Sequence, residues 1–319
     1  MTRLLITGAG GLLGANLALA ARDAGHQVIA VDFLHPIRHR EVESVEADLA
    51  RPGAALQVFA ARRPRWAVHC AAAVDVDACE ADPETAFRLN RNMAGHVAMA
   101  ARAVGAKLVH ISTDAVFDGE RGGYTEEDEP HPVSVYGSSK LEGERVVLSE
   151  CPSALVARTN IFGWNARPKL SLSEWFLERL RRGERCTGFT DVSFSPIAVA
   201  DLSLGLLRLL SMPVSGVLHL AGGETISKYE FGLRIAEAFQ LSPDPIVPGS
   251  VDALRPRARR AHRLGLDVRK AETLLGAPMP LLSPMLRRWR QEETDGTLDR
   301  LRSLVAGPTN PSHVQEGAL

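Results

Sequence analysis

Cysteine is scarce: Cys70, Cys79, Cys151 and Cys186 are the only four in 319 residues, with no C-x-x-C spacing. That excludes a disulfide framework and a cysteine zinc site, and leaves the thiols as buried or incidental groups. Charge of one sign is lacking too. Lys and Arg number 37 against 38 Asp and Glu, a net charge of −1, so no global basic field exists to draw nucleic acid or an anionic membrane. No apolar run exceeds the length of a strand, so none can span a bilayer. Met1–Thr2–Arg3 leads directly into Leu4–Leu5–Ile6 without a signal-peptide layout, and a cytoplasmic setting is expected. His69, His110 and His219 fall in strand-like runs and read as core residues, and no metal is expected.

What is present is alternation. Short β-branched runs at Leu4–Thr7, Val28–Val31, Ser44–Ala47, Trp66–His69, Leu108–Ser112, Leu155–Arg158 and Val217–Leu220 read as strands. Between them, Leu12–Ala24, Pro83–Val104 and Val135–Ser149 place apolar residues at helical spacing. Repeated strand–helix–strand order predicts an α/β protein with a doubly wound, Rossmann-type parallel sheet covered on both faces. Beyond Arg158 the pattern loosens into helical stretches at Ser171–Arg182, Ser227–Phe239, Asp267–Leu275 and Met285–Leu304. The expected division is a dinucleotide-binding domain over 1–160, with last strands near 187–225 returning to it. An interleaved, mostly helical C-terminal substrate lobe would occupy 161–305, and a loose tail 306–319.

The first strand meets the first helix at Thr7–Gly8–Ala9–Gly10–Gly11–Leu12–Leu13–Gly14. Glycines at 8, 11 and 14 give a G-x-x-G-x-x-G spacing, which allows a tight turn and a close approach of backbone to a pyrophosphate. The helix N-terminus beyond it favours negative charge. Asp32 ends the second strand, where a carboxylate can accept the adenosine ribose hydroxyls and favours NAD. Arg38, His39 and Arg40 follow closely and keep NADP open. Asp48 and Leu49 after the third strand, and Ala71, Ala72 and Ala73 after the fourth, supply further candidate cofactor walls.

The scarcity of Tyr (three) and Lys (five) makes one coincidence informative: Tyr136 and Lys140 lie four apart on one helical face. By chance such a pair is expected about 0.05 times in this chain. An ammonium near a phenol favours the phenolate, so Lys140 is expected to lower the pKa of Tyr136 toward working pH. Thr113, at the end of the fifth strand, adds a hydroxyl for a substrate carbonyl. The expected chemistry is carbonyl reduction with Tyr136 as proton donor.

The glycine turn, Thr113 and Tyr136-x-x-x-Lys140 together resemble the extended short-chain dehydrogenase/reductases. Longer strings resemble their dTDP-4-dehydrorhamnose reductase branch: Ala71–Ala72–Ala73 with Val76–Asp77–Ala78–Cys79–Glu80; Asn90; Ser112–Thr113–Asp114–Ala115–Val116–Phe117–Asp118–Gly119; Val135 to Glu144; Arg158–Thr159; Ser195–Pro196; and Ala258–Arg259–Arg260 with His262 and Leu266. The resemblance implies reduction of the 4-keto group of a nucleotide-linked deoxysugar, as in dTDP-rhamnose biosynthesis. It implies Thr113, Tyr136 and Lys140 as the catalytic set, and Asn90 among the cofactor contacts with Gly8, Gly10, Gly11, Leu12, Leu13 and Gly14. It implies Asp114, Val116, Arg259 and Arg260 as substrate contacts, and it admits a homodimer. Arg255, Arg257 and Arg263 extend the arginine run beside a diphosphate. There are departures. Ala115 and Ile161 stand where the branch carries Tyr and Trp, Ala261 replaces a Pro, and Lys228 replaces a Trp before Tyr229. The catalytic positions match better than the sugar-facing ones, which points to changed specificity.

Three alternatives remain at this stage. A 4,6-dehydratase would need a second carboxyl after Asp114, where Ala115 stands, and is disfavoured. An NAD-dependent nucleotide-sugar epimerase is compatible with the motifs. A non-catalytic regulatory subunit that keeps the dinucleotide fold, as in methionine adenosyltransferase, is the non-enzymatic reading.

Overall fold

The computed structural model describes residues 1–254 and 258–305, so the expected tail over 306–319 lies outside the described residues. Seven parallel strands form the central sheet: β1 (Arg3–Thr7), β2 (Gln27–Asp32), β3 (Glu43–Glu46), β4 (Trp66–His69), β5 (Lys107–Thr113), β6 (Leu155–Thr159) and β7 (Gly216–His219). Their order is β7-β6-β5-β4-β1-β2-β3. The chain therefore reverses direction across the sheet between β1 and β4, in register from Leu4 opposite Trp66 to Thr7 opposite His69. A doubly wound sheet places its ligand crevice outside the strand ends at that switch point.

The strands alternate their burial between two layers. Leu4 and Ile6 join Val28 and Ala30 on one face, while Leu5 joins Ile29, Val31, Ala67 and Leu108 on the other. Helices α1 (Leu12–Asp23) and α5 (Val199–Leu210) cover the first face. Helices α2 (Ala54–Arg62), α3 (Met93–Val104) and α4 (Val135–Glu150) cover the second. Apolar residues on both faces explain why the strand runs lack a polar alternation. All four cysteines are free thiols.

Several boundaries differ from the sequence pattern. The expected helix Pro83–Val104 is three pieces: Pro83–Phe87, a π-turn at Arg88–Asn92, and α3. The expected helix Met285–Leu304 breaks at Gly296, which has φ +85°, into Leu282–Glu292 and Thr297–Ser303. Helices α2 and α5 had no counterpart in the pattern. Beyond β6 the chain forms short ladders: Ile161–Phe162 with Ile197–Ala198, Ser193–Phe194 between Ile226–Ser227 and Arg263–Leu264, and Cys186–Phe189 with Ile246–Gly249. Below this rim Trp289 packs between Phe162, Trp164 and Phe239, and its carbonyl accepts from Trp164 Nε1 at 2.8 Å. Among the described residues no helix is long and apolar enough to cross a membrane.

Candidate active site

A single cavity of about 1480 Å³ runs from the glycine turn, past the ends of β1, β4 and β5, to the C-terminal lobe. That exceeds the roughly 300–1,000 Å³ of a typical one-ligand pocket, so two ligands can lie end to end. At one end Gly8 has φ +63°, and a Cβ there would stand 2.7 Å from Ala71 N. A Cβ on Gly14 would stand 2.2 Å from Gly8 O. The turn therefore closes only with glycine at these positions. The N-cap of α1 is Gly11, which offers no side-chain cap, so the first N–H groups of the helix stay open to an anion.

Asp32 lies in this cavity, and its carboxylate is partly engaged. Oδ2 accepts from Gly10 N at 3.0 Å, and Oδ1 accepts from Leu34 N and His35 N. It thus anchors the glycine turn and still presents acceptor capacity to the cavity. Gly8, Gly11, Leu12, Leu13, Gly14, Asp48, Leu49, Ala71, Ala72 and Ala73 line the same cavity. Gly10 does not; its backbone serves the Asp32 bond. Arg38, His39 and Arg40 line a separate hollow.

Asn90 corrects an expectation. It is 1% exposed, and its amide is wholly engaged: Oδ1 accepts from Ala73 N, while Nδ2 reaches Ala73 O and Ser139 Oγ. The π-turn aims this side chain at the wall, so Asn90 holds Ala73 in place from behind and does not face a cofactor. Val116 is a second correction. It is fully buried in the core and outside the cavity, so it cannot touch a substrate.

At the reacting corner, helix α4 starts where Ser134 caps it, Oγ accepting from Gly137 N at 3.2 Å. Val135 N is fixed by Glu80 Oε2 at 3.0 Å. This sets Tyr136 in the first turn, half-buried and on the cavity wall. One turn later Lys140 is buried, its Nζ donating to Ile111 O at 2.6 Å. Thr113 Oγ1 donates to Asp114 Oδ1 at 3.1 Å and accepts from Ala115 N at 3.1 Å, close enough to Tyr136 to act on its phenol. Asp114 Oδ2 accepts from Asn160 Nδ2 at 2.7 Å. Thr113, Tyr136, Lys140 and Asp114 all border the cavity.

The electrostatics depart from the sequence expectation. Burial pushes the Tyr136 phenol up to about 12, opposed by the Thr113 hydroxyl and assisted by Asp114 and Cys79. Lys140 does not lower it, because the ammonium turns to the Ile111 carbonyl of β5. Burial instead pulls Lys140 itself down to about 8, against the charge of Glu144. Burial also raises Asp114 to about 6, against the bonds from Asn160 and Thr113. At neutral pH the corner therefore holds a neutral phenol, which is a proton donor, beside a cation.

Beneath the corner lies a support that the sequence did not single out. Arg158 Nε and Nη2 grip both oxygens of Glu144 at 2.7–3.2 Å, in a pair about 4% and 3% exposed. Ser112 Oγ adds a 2.5 Å bond to Glu144 Oε1, and the guanidinium lies 5.1 Å from the Phe117 ring centroid. This ties α4 to the ends of β5 and β6, and so fixes Tyr136 relative to Thr113. The 3.6-residue spacing of Tyr136, Lys140 and Glu144 was the available signal.

On the lobe side, Arg259 is exposed on the cavity rim, and Arg260 lines the cavity while bonding Asp77 Oδ2 at 2.7 Å. Asp77 Oδ1 also takes Ala258 N, so one carboxylate moors the segment. Arg255 and Arg257 lie outside the described residues, and Arg263 is exposed away from the cavity. Ala115 and Ile161 do border the cavity, and Asn160, Lys228 and Phe189 border it with them. Elsewhere, Asp191, Asp252 and His262 bring ligand-type atoms within 4.8 Å of one another, with Asp191 already taken up by Ser250 Oγ and Val251 N.

A family model described as "RmlD substrate binding domain" matches residues 1–294. The chain is 33% identical to the dTDP-4-dehydrorhamnose reductase of Mycobacterium tuberculosis, over 98% of this chain and 95% of that one. It is 32% identical to methionine adenosyltransferase 2 subunit beta of Rattus norvegicus, over 91% and 90%. Among solved structures, a dTDP-4-dehydrorhamnose reductase from Bacillus anthracis in complex with NADP superposes with a TM-score of 0.82. Its identity is 28%, covering 91% of this chain and 99% of that one.

Proposed function

Because the chain belongs to the RmlD substrate binding domain family, we propose that it is an NAD(P)H-dependent reductase of the 4-keto group of a nucleotide-linked deoxysugar. One observation carries the reading: Thr113, Tyr136 and Lys140 share a cavity wall that continues into a glycine turn built for a pyrophosphate. A dinucleotide fits that turn, with its phosphates on the open N–H groups of α1, its ribose on Asp32 and its adenine beside Asp48 and Leu49. When bound, the dinucleotide supplies the hydride.

This chain's own groups supply the rest. The Tyr136 phenol gives its proton to the oxygen of the carbonyl as negative charge develops there, and the Thr113 hydroxyl supports the same oxygen. Lys140, cationic below about pH 8, would hold the nicotinamide ribose and keeps a positive charge beside the reacting corner. Ala71, Ala72 and Ala73, kept in line by Asn90, give a wall smooth enough for the cofactor. Thr113, Tyr136 and Lys140 form the catalytic set. Asp114, Arg259 and Arg260 face the nucleotide sugar.

NAD is the preferred cofactor in this reading, since the Asp32 carboxylate repels a 2′-phosphate while Arg38 and Arg40 line a different hollow. The division into a dinucleotide-binding part over 1–160 and a substrate lobe over 161–305 is part of the proposal, as are a cytoplasmic setting and a homodimer, which sedimentation checks. Stoichiometric consumption of NADH with formation of the 4-hydroxy sugar, on a panel of 4-keto nucleotide sugars, tests the activity.

A second reading is favoured by one finding. The subunit relative is as similar to this chain as the reductase is. A dinucleotide-binding subunit would bind NAD(P)H, turn over no member of the panel and co-purify with a partner enzyme.

A further inference from the structure

Lys228 lines the cavity, and the mechanism above leaves it without work. It opens the helix Lys228–Phe239, its backbone N–H bonds Val192 O at 2.9 Å, and its side chain enters the cavity. Its Nζ stands 6.0 Å from the centroid of the Phe189 ring. Among the described residues it has neither a hydrogen-bond acceptor nor an ion-pair partner within reach. Asp114 and Arg260, whose charges act on it, line the same cavity. Lys228 thus shares that cavity with the reacting corner and the arginine rim. Asp114 acts on it as a counter-charge without a direct bond, its carboxylate oxygens bonding Asn160 and Thr113. Burial weakens the ammonium, and the Asp114 charge partly offsets this.

The ammonium borders the cavity with no hydrogen-bond acceptor among the described residues, so an oxyanion of a ligand can reach it. Phe189 and Val192 line the same cavity with apolar surface and offer Lys228 no side-chain acceptor. Lys228 and Arg260 line this cavity together, Arg260 while bonding Asp77. Ala115 and Ile161 leave the sugar side open by presenting small or aliphatic groups there. Resting on the reductase reading for the location of the sugar, we propose that Lys228 determines substrate specificity by binding an oxyanion that the substrate carries between the reacting carbon and Arg260. Two parts of a nucleotide sugar can supply it: the phosphate next to the sugar, or an acidic substituent on the sugar ring.

Equilibrium binding separates these sources without requiring turnover. Titration calorimetry uses the full chain with NAD⁺ present, and three probes: uridine diphosphate, uridine diphosphate-glucose and uridine diphosphate-glucuronic acid. Lys228→Met is expected to weaken at least one probe by tenfold or more, about 1.4 kcal/mol, while Lys228→Arg stays within about threefold of the parent. Equal weakening of all three probes assigns the phosphate. Weakening confined to the glucuronic acid derivative assigns the sugar substituent. If Lys228→Met binds all three as the parent does, or if Lys228→Arg loses as much as Lys228→Met, the proposal is overturned. Unchanged NAD⁺ affinity in both variants shows that the fold and cofactor site persist. Failure here leaves the reductase reading standing, whereas failure of the reductase reading appears as absent turnover with binding intact.

Discussion

Lys140 should set the alkaline limit of the reaction. Its side chain is 3% exposed, and burial brings its pKa from 10.5 to about 8. A shift of that size disfavours the ammonium by roughly 3 kcal/mol. Tyr136, at about 12, stays protonated across the working range and imposes no limit of its own. Activity that needs the Lys140 cation is then full below pH 8 and falls as pH rises through it. About nine-tenths of the molecules carry the charge at pH 7 and about one-tenth at pH 9. The assay is kcat/KM for NAD(P)H, followed by loss of nicotinamide absorbance from pH 6 to 10, since this ratio reports the free enzyme. The expected profile bends near 8 and drops about tenfold per unit beyond it. Lys140→Met should lie a hundredfold or more lower with no bend. A profile level to pH 10, or a bend that survives in Lys140→Met, would refute the reasoning.

Tyr136→Phe removes the proton donor and should lower turnover by roughly 10²–10⁴-fold while NADH affinity stays within about threefold; near-parental turnover would mean a different acid. Asp32→Ala should weaken NADH more than NADPH, and it should also lower the melting temperature because Gly10, Leu34 and His35 lose their acceptor; equal losses for both cofactors would remove its ribose role. Gly14→Ala forces a Cβ to 2.2 Å from Gly8 O, so dinucleotide affinity should fall beyond detection in calorimetry even where circular dichroism reports a folded chain. Asp114 has a folded pKa raised to about 6, so its cost to stability sets in as pH climbs from about 4 to 6 and is constant above. Asp114→Asn should thus stabilise the chain by up to about 3 kcal/mol at pH 8 and leave it unchanged at pH 4, in denaturant titrations; the same gain at both values would contradict the assignment.

The fold was legible where local pattern and tertiary role coincide. The run Leu4–Thr7 followed by Gly8, Gly11 and Gly14 reads as strand, turn and helix, because the same glycines that permit the turn also permit the close approach. Tyr136 and Lys140 were legible for a similar reason, since a four-residue interval fixes a shared face. Burial was not legible. A sequence shows that an ammonium is near a phenol, but not that the ammonium is drawn to Ile111 O nor that low polarity outweighs charge. The π-turn at Arg88–Asn92 left no signal in residue spacing; Asn90 entered the cofactor contacts through the family resemblance, and its side chain bonds Ala73. Helix α5 was missed although Leu202, Leu206 and Leu209 recur at helical spacing, because the exposed Leu204 blurs the polar face that Asp201 and Arg208 mark. Two-residue strands such as Ile226–Ser227 are too short to carry a periodicity at all.

The most direct measurement follows a label. Reduction of a 4-keto nucleotide sugar with NADH deuterated at the nicotinamide C4 position, read by NMR of the product, should place one deuterium on the sugar C4. The same reaction with Tyr136→Phe should place almost none in the same time. Deuterium found nowhere on the sugar, with cofactor bound and unconsumed, would contradict the claim that this cavity reduces a carbonyl.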